Sequence, residues 1–526
     1  MKRAALVLFL ASVSTLATAQ SPPPGAAVIT ASGLRGDVFF LAADDMRGRD
    51  SLSHEGRIAA NYIAAEFMRL GLKPIAGGTY FQNFDMTSAN VDREKTTLTA
   101  SWTATAGTHS KQFQLGHDFN FVGQSNSPAT VTGPLLFGGY GVSAPEYGYD
   151  DFAGVDAAGA VVMVLTHEPH ENDQAGSFKG HWNTFHAYNR HKVENVRHHG
   201  AAAVLVVNEW TPHRPPSVPS APRPGVQPNY ALANSFLDIP TFSITAEAAN
   251  ELLQPAGTTI EQLKDTIDRT GKPASQSVKT TVTVTKAFTD RRVVQTRNVV
   301  GLLEGTDPQL KSEVVAITAH YDHIGVAGDR IYHGADDNAS GTAGVIEIAR
   351  AFAQPAARPK RSVLFMVFEA EERGLLGAYQ YVITPLVPLD KTIAVLNMDM
   401  IGRDEDSPTW NTHAADNLNG VNVVGTLYNP ELKRLFERLN AGVGLKLDFK
   451  TDADDREGWF ARSDHFPFAE HDVPMVLFNT GEHPDYHTEN DTWDRLNYPK
   501  MEKIARLIYL AGWELASSSQ KTPFTR

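Results

Sequence analysis

Four short runs dominated by Val, Ile, Leu, Phe and Ala, at 314–319, 362–368, 393–398 and 473–478, alternate with helical stretches at 339–352, 430–439 and 499–516. Apolar runs of this length with no polar alternation need cover on both faces, and the intervening helices supply it. The rhythm therefore restricts the second half of the chain to an α/β/α layering with a mostly parallel central sheet. Sheets of this kind place their chemistry beyond the carboxyl ends of the strands. Reactive residue types should then follow each run.

They do. His320-Tyr321-Asp322-His323 follow the first run, Glu369-Ala370-Glu371-Glu372 the second, Asp399 the third, and Tyr486-His487 come shortly after the last. Between the first two runs, the acidic turn from Gly334 to Gly341 opens a helix and carries Asp336 and Asp337. A single histidine at a strand end is more often structural than ligating, and adjacent carboxylates usually mark a solvated turn. The joint pattern is much harder to obtain by chance. The chain has no cysteine, so any metal must be held by imidazole and carboxylate, a donor set that suits zinc and also accepts cobalt or manganese. A bridging carboxylate holds two such ions about 3.5 to 4 Å apart. One further carboxylate must stay off the metal as the base that takes a water's proton and passes it to the leaving amine.

The rest of the chain sets the context. At 526 residues it is too long for one core, and two or three units are expected. Lys2 and Arg3, an apolar run over 4–16 and Ala17-Thr18-Ala19 form a signal peptide over 1–19, which predicts export to the periplasm or the outside. That run is too short to span a bilayer and no later stretch is long enough, so no membrane anchor is expected. A net charge of −13 without a Lys/Arg stripe argues against nucleic acid as a partner. An amphipathic helix is expected over 53–71. Between 125 and 288, strand-like runs at 134–137, 161–165, 203–207 and 239–244, one helix around 192–200 and a proline-crowded loop over 211–228 read as a separate β-rich unit. The histidines at 167, 170, 181, 186, 191, 198 and 199 do not align on one helical face and are expected to be exposed and non-ligating.

In order and spacing, His320-Tyr321-Asp322, Gly334 to Gly341, Glu371-Glu372 with Gly374-Leu375-Leu376-Gly377, Asn397-Met398-Asp399-Met400, Ser463-Asp464-His465 and Tyr486-His487-Thr488 resemble the co-catalytic di-zinc aminopeptidase family, which includes glutamate carboxypeptidase II and the transferrin receptor. The resemblance spans roughly 295–520. It implies two zinc ions per chain bridged by Asp337, one completed by His320 and Asp399, the other by Glu372 and His487. It further implies Glu371 as general acid/base and Asp322 as the carboxylate that orients His320. The family often has an unusual peptide after the bridging aspartate, here Asp337-Asn338. Some members place an oxyanion-stabilising tyrosine three residues before the Ser-Asp-His run, where this chain has Phe460; Tyr486 matches the tyrosine of the glutamate carboxypeptidase branch and is expected to take that part. Gly138 to Val142, Tyr149-Asp150-Asp151-Phe152, Gly200-Ala201-Ala202 and Ile239-Pro240 resemble a protease-associated domain. The organisation implied is 28–124 as the N-terminal part of the catalytic unit, 125–288 as the inserted domain and 289–520 as the zinc peptidase domain.

The function expected is a secreted metallo-exopeptidase that removes N-terminal residues from peptides. A carboxypeptidase or dipeptidase of the glutamate carboxypeptidase type is the alternative, and it would need a basic cluster, for which Arg403, Arg456 and Arg462 are candidates. A glutaminyl cyclase uses one zinc, which the full ligand series disfavours, and a receptor-like relative without activity has no reason to keep all five ligands and Glu371.

Overall fold

The computed structural model describes residues 23–526 apart from 105–106, 123–124, 174–175, 177, 209–227, 236, 409 and 456–457. The signal peptide expected over 1–19, the proline-crowded loop up to 227 and Arg456 therefore lie outside the described residues. Among the described residues no helix is long and apolar enough to cross a membrane.

The apolar runs of the second half become the centre of a nine-stranded sheet. Ser362–Phe368, Val314–His320, Thr392–Met398 and Met475–Asn479 lie side by side in that order and all parallel. Antiparallel neighbours extend both edges, Phe288–Leu303, Phe81–Val91 and Asn229–Leu232 on one side and Gly420–Val424 on the other, and Lys446–Asp448 then adds parallel to Gly420–Val424. The sheet as a whole is thus mixed, and the parallel character read from the sequence belongs to its four central strands. The edge strands alternate less cleanly and come partly from the first half of the chain.

Alternate residues of each central strand serve opposite faces, and both faces are apolar. Val315, Ile317 and Ala319 pack with Val363, Phe365 and Val367 under the helices Ala31–Leu41, His54–Arg69, Gly341–Phe352 and Tyr498–Ser517. Val314 and Ala316, with Leu364 and Met366, face the helices Leu376–Ile383 and Phe466–Glu470. Hydrophobic burial on both sides is what an apolar strand without polar alternation requires.

The second large sheet has eight strands, in the order Gly107–Phe113, Thr97–Ala104, Gln276–Lys286, Ala129–Phe137, Val161–Leu165, Ala203–Val207, Thr241–Ile244 and Phe119–Phe121. Three of these precede residue 125, so the sheet begins near 97, earlier than the boundary read from the sequence. The short Thr-rich strands there carry little apolar signal of their own and are recognised only by their partners. Phe81–Val91 and Phe288–Leu303 form an antiparallel ribbon that joins the two sheets. The single helix expected in the insert is present as Asn189–His198, and two more, Ala246–Leu253 and Ile260–Thr270, follow it. Thr245 and Thr259 cap them, the latter with Gln262 in a reciprocal capping box.

The segment over 182–185 reaches into the core on one face of the nine-stranded sheet. Trp182 and Phe185 join the cluster on the second face of the central sheet. Trp182 Nε1 donates to Tyr428 Oη at 3.0 Å, and Asn183 Nδ2 donates to the Asp455 carbonyl at 2.7 Å.

Candidate metal centre

Parallel alignment of the four central strands brings their carboxyl ends to one edge, and the reactive residues with them. His320 closes its strand, Glu371 and Glu372 sit in the short turn after Ser362–Phe368, and Asp399 follows Thr392–Met398. Asp337 comes from the irregular turn Ala335–Ser340 that leads into Gly341–Phe352. The peptide Asp337-Asn338 is cis. Gly341 lets this helix start against the Asp399 strand, because a Cβ there would lie 2.5 Å from the Met398 carbonyl oxygen. Gly334 has φ 58°, and a Cβ on it would meet the Asp337 carbonyl at 2.2 Å.

His320 Nε2 lies 3.4 Å from Asp337 Oδ1 and 3.4 Å from Asp399 Oδ1. On the other side, His487 Nε2 is 2.9 Å from Asp337 Oδ2 and 3.4 Å from Glu372 Oε1. Asp337 thus turns one oxygen to each side. Two groups able to hold a metal ion share it: His320, Asp337 and Asp399, and a second formed by His323, Asp337, Glu372 and His487. Imidazole nitrogen and carboxylate oxygen with no sulfur form a donor set that fits zinc. His323 was not assigned a part by the sequence reading, although its place three residues after His320 was the available signal.

Several buried groups hold this arrangement from behind. The Asp322 carboxylate accepts from Ser51 Oγ at 2.7 Å, from the Glu371 amide at 3.1 Å and from the Glu372 amide at 3.3 Å. His320 Nδ1 is 3.2 Å from the Asp322 carbonyl oxygen and 3.7 Å from the carboxylate. Asp322 therefore secures the glutamate turn with its carboxylate and meets the imidazole mainly through its backbone. Asp491 accepts from the amides of Asp336 and Asp337. Arg49, fully buried, donates to the carbonyls of Tyr321, His333, Gly334 and Asp337. Arg49 is far from the recognisable motifs and nothing local in the sequence marks it, whereas Asp491 stands four residues after His487.

The electrostatics separate the two neighbouring glutamates. Burial, reinforced by Asp399, Glu372 and Asp464 and only partly offset by His320, holds the Glu371 carboxyl well above the usual carboxylate range. Burial would raise Glu372 too, but the imidazoles of His487 and His323 keep it well below that range. Burial disfavours charge on His487, yet Glu372 and Asp337 push it up to about 10. A field that holds protons on imidazoles in this way also favours metal cations, which compete for the same lone pairs.

The cleft over these residues has an empty volume of about 480 Å³ and is lined by Asp337, Glu371, Glu372 and Asp399, with Trp459, Arg462, Glu482 and Tyr486 around them. Tyr486 stacks on His487, ring centroids 3.9 Å apart, and burial beside these carboxylates holds its hydroxyl protonated. Phe460 is fully buried against Trp182 and Tyr428 and does not line the cleft. Asp464 and His465 are buried behind the site; burial pushes the Asp464 carboxyl up and His465 down to about 3. Of the basic candidates, Arg403 pairs with Asp485 at 2.7 Å, and Arg462 stands 3.4 Å from Glu482. The insert's histidines differ from expectation in exposure. His186 is buried and bonded to Glu146 at 2.8 Å, and only His198 and His199 are exposed. Among the described residues no metal-holding group forms there.

Residues 298–511 match the model of peptidase family M28, and residues 131–252 match the PA domain. Over residues 298–511 the chain is thus similar to peptidase family M28. Leupeptin-inactivating enzyme 1 of Streptomyces exfoliatus is 25% identical over 334 residues, 59% of this chain and 67% of that protein. The aminopeptidase YwaD of Bacillus subtilis is 25% identical over 337 residues, 63% of this chain and 60% of its own length. Among solved structures, an aminopeptidase from Aneurinibacillus sp. strain AM-1 superposes with a TM-score of 0.50 at 19% identity, covering 95% of this chain and 97% of that one, which supports the fold. The M28 match contains all the motif residues from His320 to His487, and the PA match covers four strands of the second sheet together with the edge strand Asn229–Leu232 of the first.

Proposed function

We propose that this protein is an exported di-zinc aminopeptidase that cleaves N-terminal residues from peptides. The observation that carries the reading is the pair of His/carboxylate groups sharing Asp337 at the ends of parallel strands. In this reading Asp337 bridges, His320 and Asp399 complete one position, and Glu372 and His487 belong to the other. Bound zinc supplies Lewis acidity for the scissile carbonyl and acidifies an attacking water.

The chain's own residues do the rest. Glu371, the one carboxylate of the Glu371-Glu372 pair that lines the cleft outside both metal-holding groups, accepts the proton of the water and returns it to the departing amine. Tyr486 donates its hydroxyl to the oxygen that becomes negative. Asp322 keeps Glu371 and Glu372 in register through their amides. Of the carboxylates lining the cleft, Glu371 and Glu482 stay off the two metal positions and can face a free amino terminus. A substrate bearing a C-terminal carboxylate there would meet Arg462 with Glu482 beside it. Export rests on the pattern of residues 1–19 and predicts a mature chain that starts near Gln20, read by N-terminal sequencing.

The test is hydrolysis of an aminoacyl-nitroanilide panel beside N-blocked peptides and C-terminal glutamyl peptides, before and after chelation and zinc restoration. Zinc-restored cleavage confined to free amino termini is the expected result. Activity on the C-terminal substrates alone would move the protein to the carboxypeptidase reading.

A further inference from the structure

His323 is buried completely. Its Nδ1 is ion-paired with Glu372 Oε1, while its Nε2 has no hydrogen-bond partner, and a buried polar nitrogen left so in a folded protein calls for an explanation. The ring is held firmly. The His323 amide donates to the Arg49 carbonyl at 3.3 Å, and Gly334 leaves the ring its space, since a Cβ there would stand 2.4 Å from His323 Cγ. Nδ1 is ion-paired with Glu372 Oε1 at 2.8 Å and lies 3.7 Å from Asp337 Oδ2. The corresponding separations of His487 Nε2 are 3.4 and 2.9 Å. These four distances scatter about the edge of roughly 3.4 Å expected for a tetrahedron of donors with bonds of about 2.1 Å to one zinc ion.

We propose that His323 is a sixth metal ligand, so that the two positions are unequal. His323, Asp337, Glu372 and His487 close one position with four protein donors, while His320, Asp337 and Asp399 leave the other with three and an open place. Closed four-donor sites hold zinc structurally, and three-donor sites keep a position for water or substrate. The first ion therefore binds tightly at the closed position and maintains Asp337 and Glu372. The second binds more weakly, and substrate meets the metal centre there. This inference rests on the di-zinc reading above.

The test is stepwise zinc loading of the metal-free full chain, with affinities from chelator competition and X-ray absorption at one and at two equivalents. The wild type should bind in two separated steps, the first ion carrying two imidazoles. His323→Ala should weaken the first step by more than about 100-fold, beyond the 10- to 100-fold that losing a group which merely orients a ligand costs. Two ions bound with one imidazole each, or unchanged affinities in His323→Ala, would overturn the inference and leave the peptidase reading standing. A chain that binds no divalent metal would overturn both. The absorption measurement uses the wild type, so it decides the matter even if His323→Ala fails to fold.

Discussion

Lys192 in the insert and His323 in the peptidase domain are equally hidden from water, yet they differ in what surrounds them. Lys192 Nζ donates to the carbonyls of Tyr140, at 2.6 Å, and His167, with Glu168 and Asp151 close by. Burial lowers it to about 8, and these carboxylates resist that shift. Asp151 in turn accepts from the amides of Tyr140 and Val142 and from the Tyr149 hydroxyl. Every charge in that cluster has partners, as a structural network must. The histidine and carboxylates at the strand ends instead converge on shared points with one ring nitrogen of His323 left unbonded. Buried charge alone does not mark a functional site; buried donors that converge on one shared carboxylate do so here.

Glu371→Gln breaks the comparison on the catalytic side and should have the largest effect. Turnover should fall by about 10²- to 10⁴-fold, the usual contribution of a general base, while the thermal unfolding midpoint stays near that of the wild type. Peptidase activity retained by this variant would remove Glu371 from the mechanism. On the insert side, Lys192→Met leaves Asp151 and Glu168 as uncompensated buried charges and should cost about 3 to 5 kcal/mol of stability in denaturant unfolding. Its turnover per folded molecule should match the wild type, and a selective loss of turnover would blur the division between the two regions.

Asp322→Asn sharpens the line within the peptidase domain. It puts an amide group where the amides of Glu371 and Glu372 need acceptors, and metal affinity measured by chelator competition should drop about 10- to 100-fold. The smallest effect is expected at the seam between the regions. Asp455 accepts from the Phe460 amide and the Tyr188 hydroxyl, but burial pushes its carboxyl up to about 7. The folded state therefore holds this proton more tightly than the unfolded chain does. Its contribution is fully present below about pH 4 and is lost as pH rises through about 7. Asp455→Asn should flatten the fall of the unfolding midpoint between pH 5 and 8, and an unchanged slope would assign that fall to other groups.

The legible parts of the molecule were those whose signal is local. Apolar runs such as 362–368 and 203–207 reappear as strands with the same bounds because burial on both faces leaves no other use for them. The site motifs were legible because each stands directly after a strand, so short segments carry both position and chemistry. Strands Thr97–Ala104 and Gly107–Phe113 escaped because their residues become strand-like only when paired with Gln276–Lys286 and with each other. Arg49 escaped for the same reason on a larger scale: an arginine in a Gly-Arg-Asp turn looks like any solvated residue until its carbonyl partners arrive from 321, 333, 334 and 337.

That arginine also sets a clock. It is made early in synthesis, whereas the carbonyl it clamps at Gly334 emerges 285 residues later, after the whole insert. Contacts across such a span close late, because the loop must be ordered before the contact rewards it. Domains that mature piecemeal often acquire function before the last segment docks. Here the turn that carries Asp337 gains its clamp only when the first and second halves of the chain have met, so its final geometry is a property of the completed molecule.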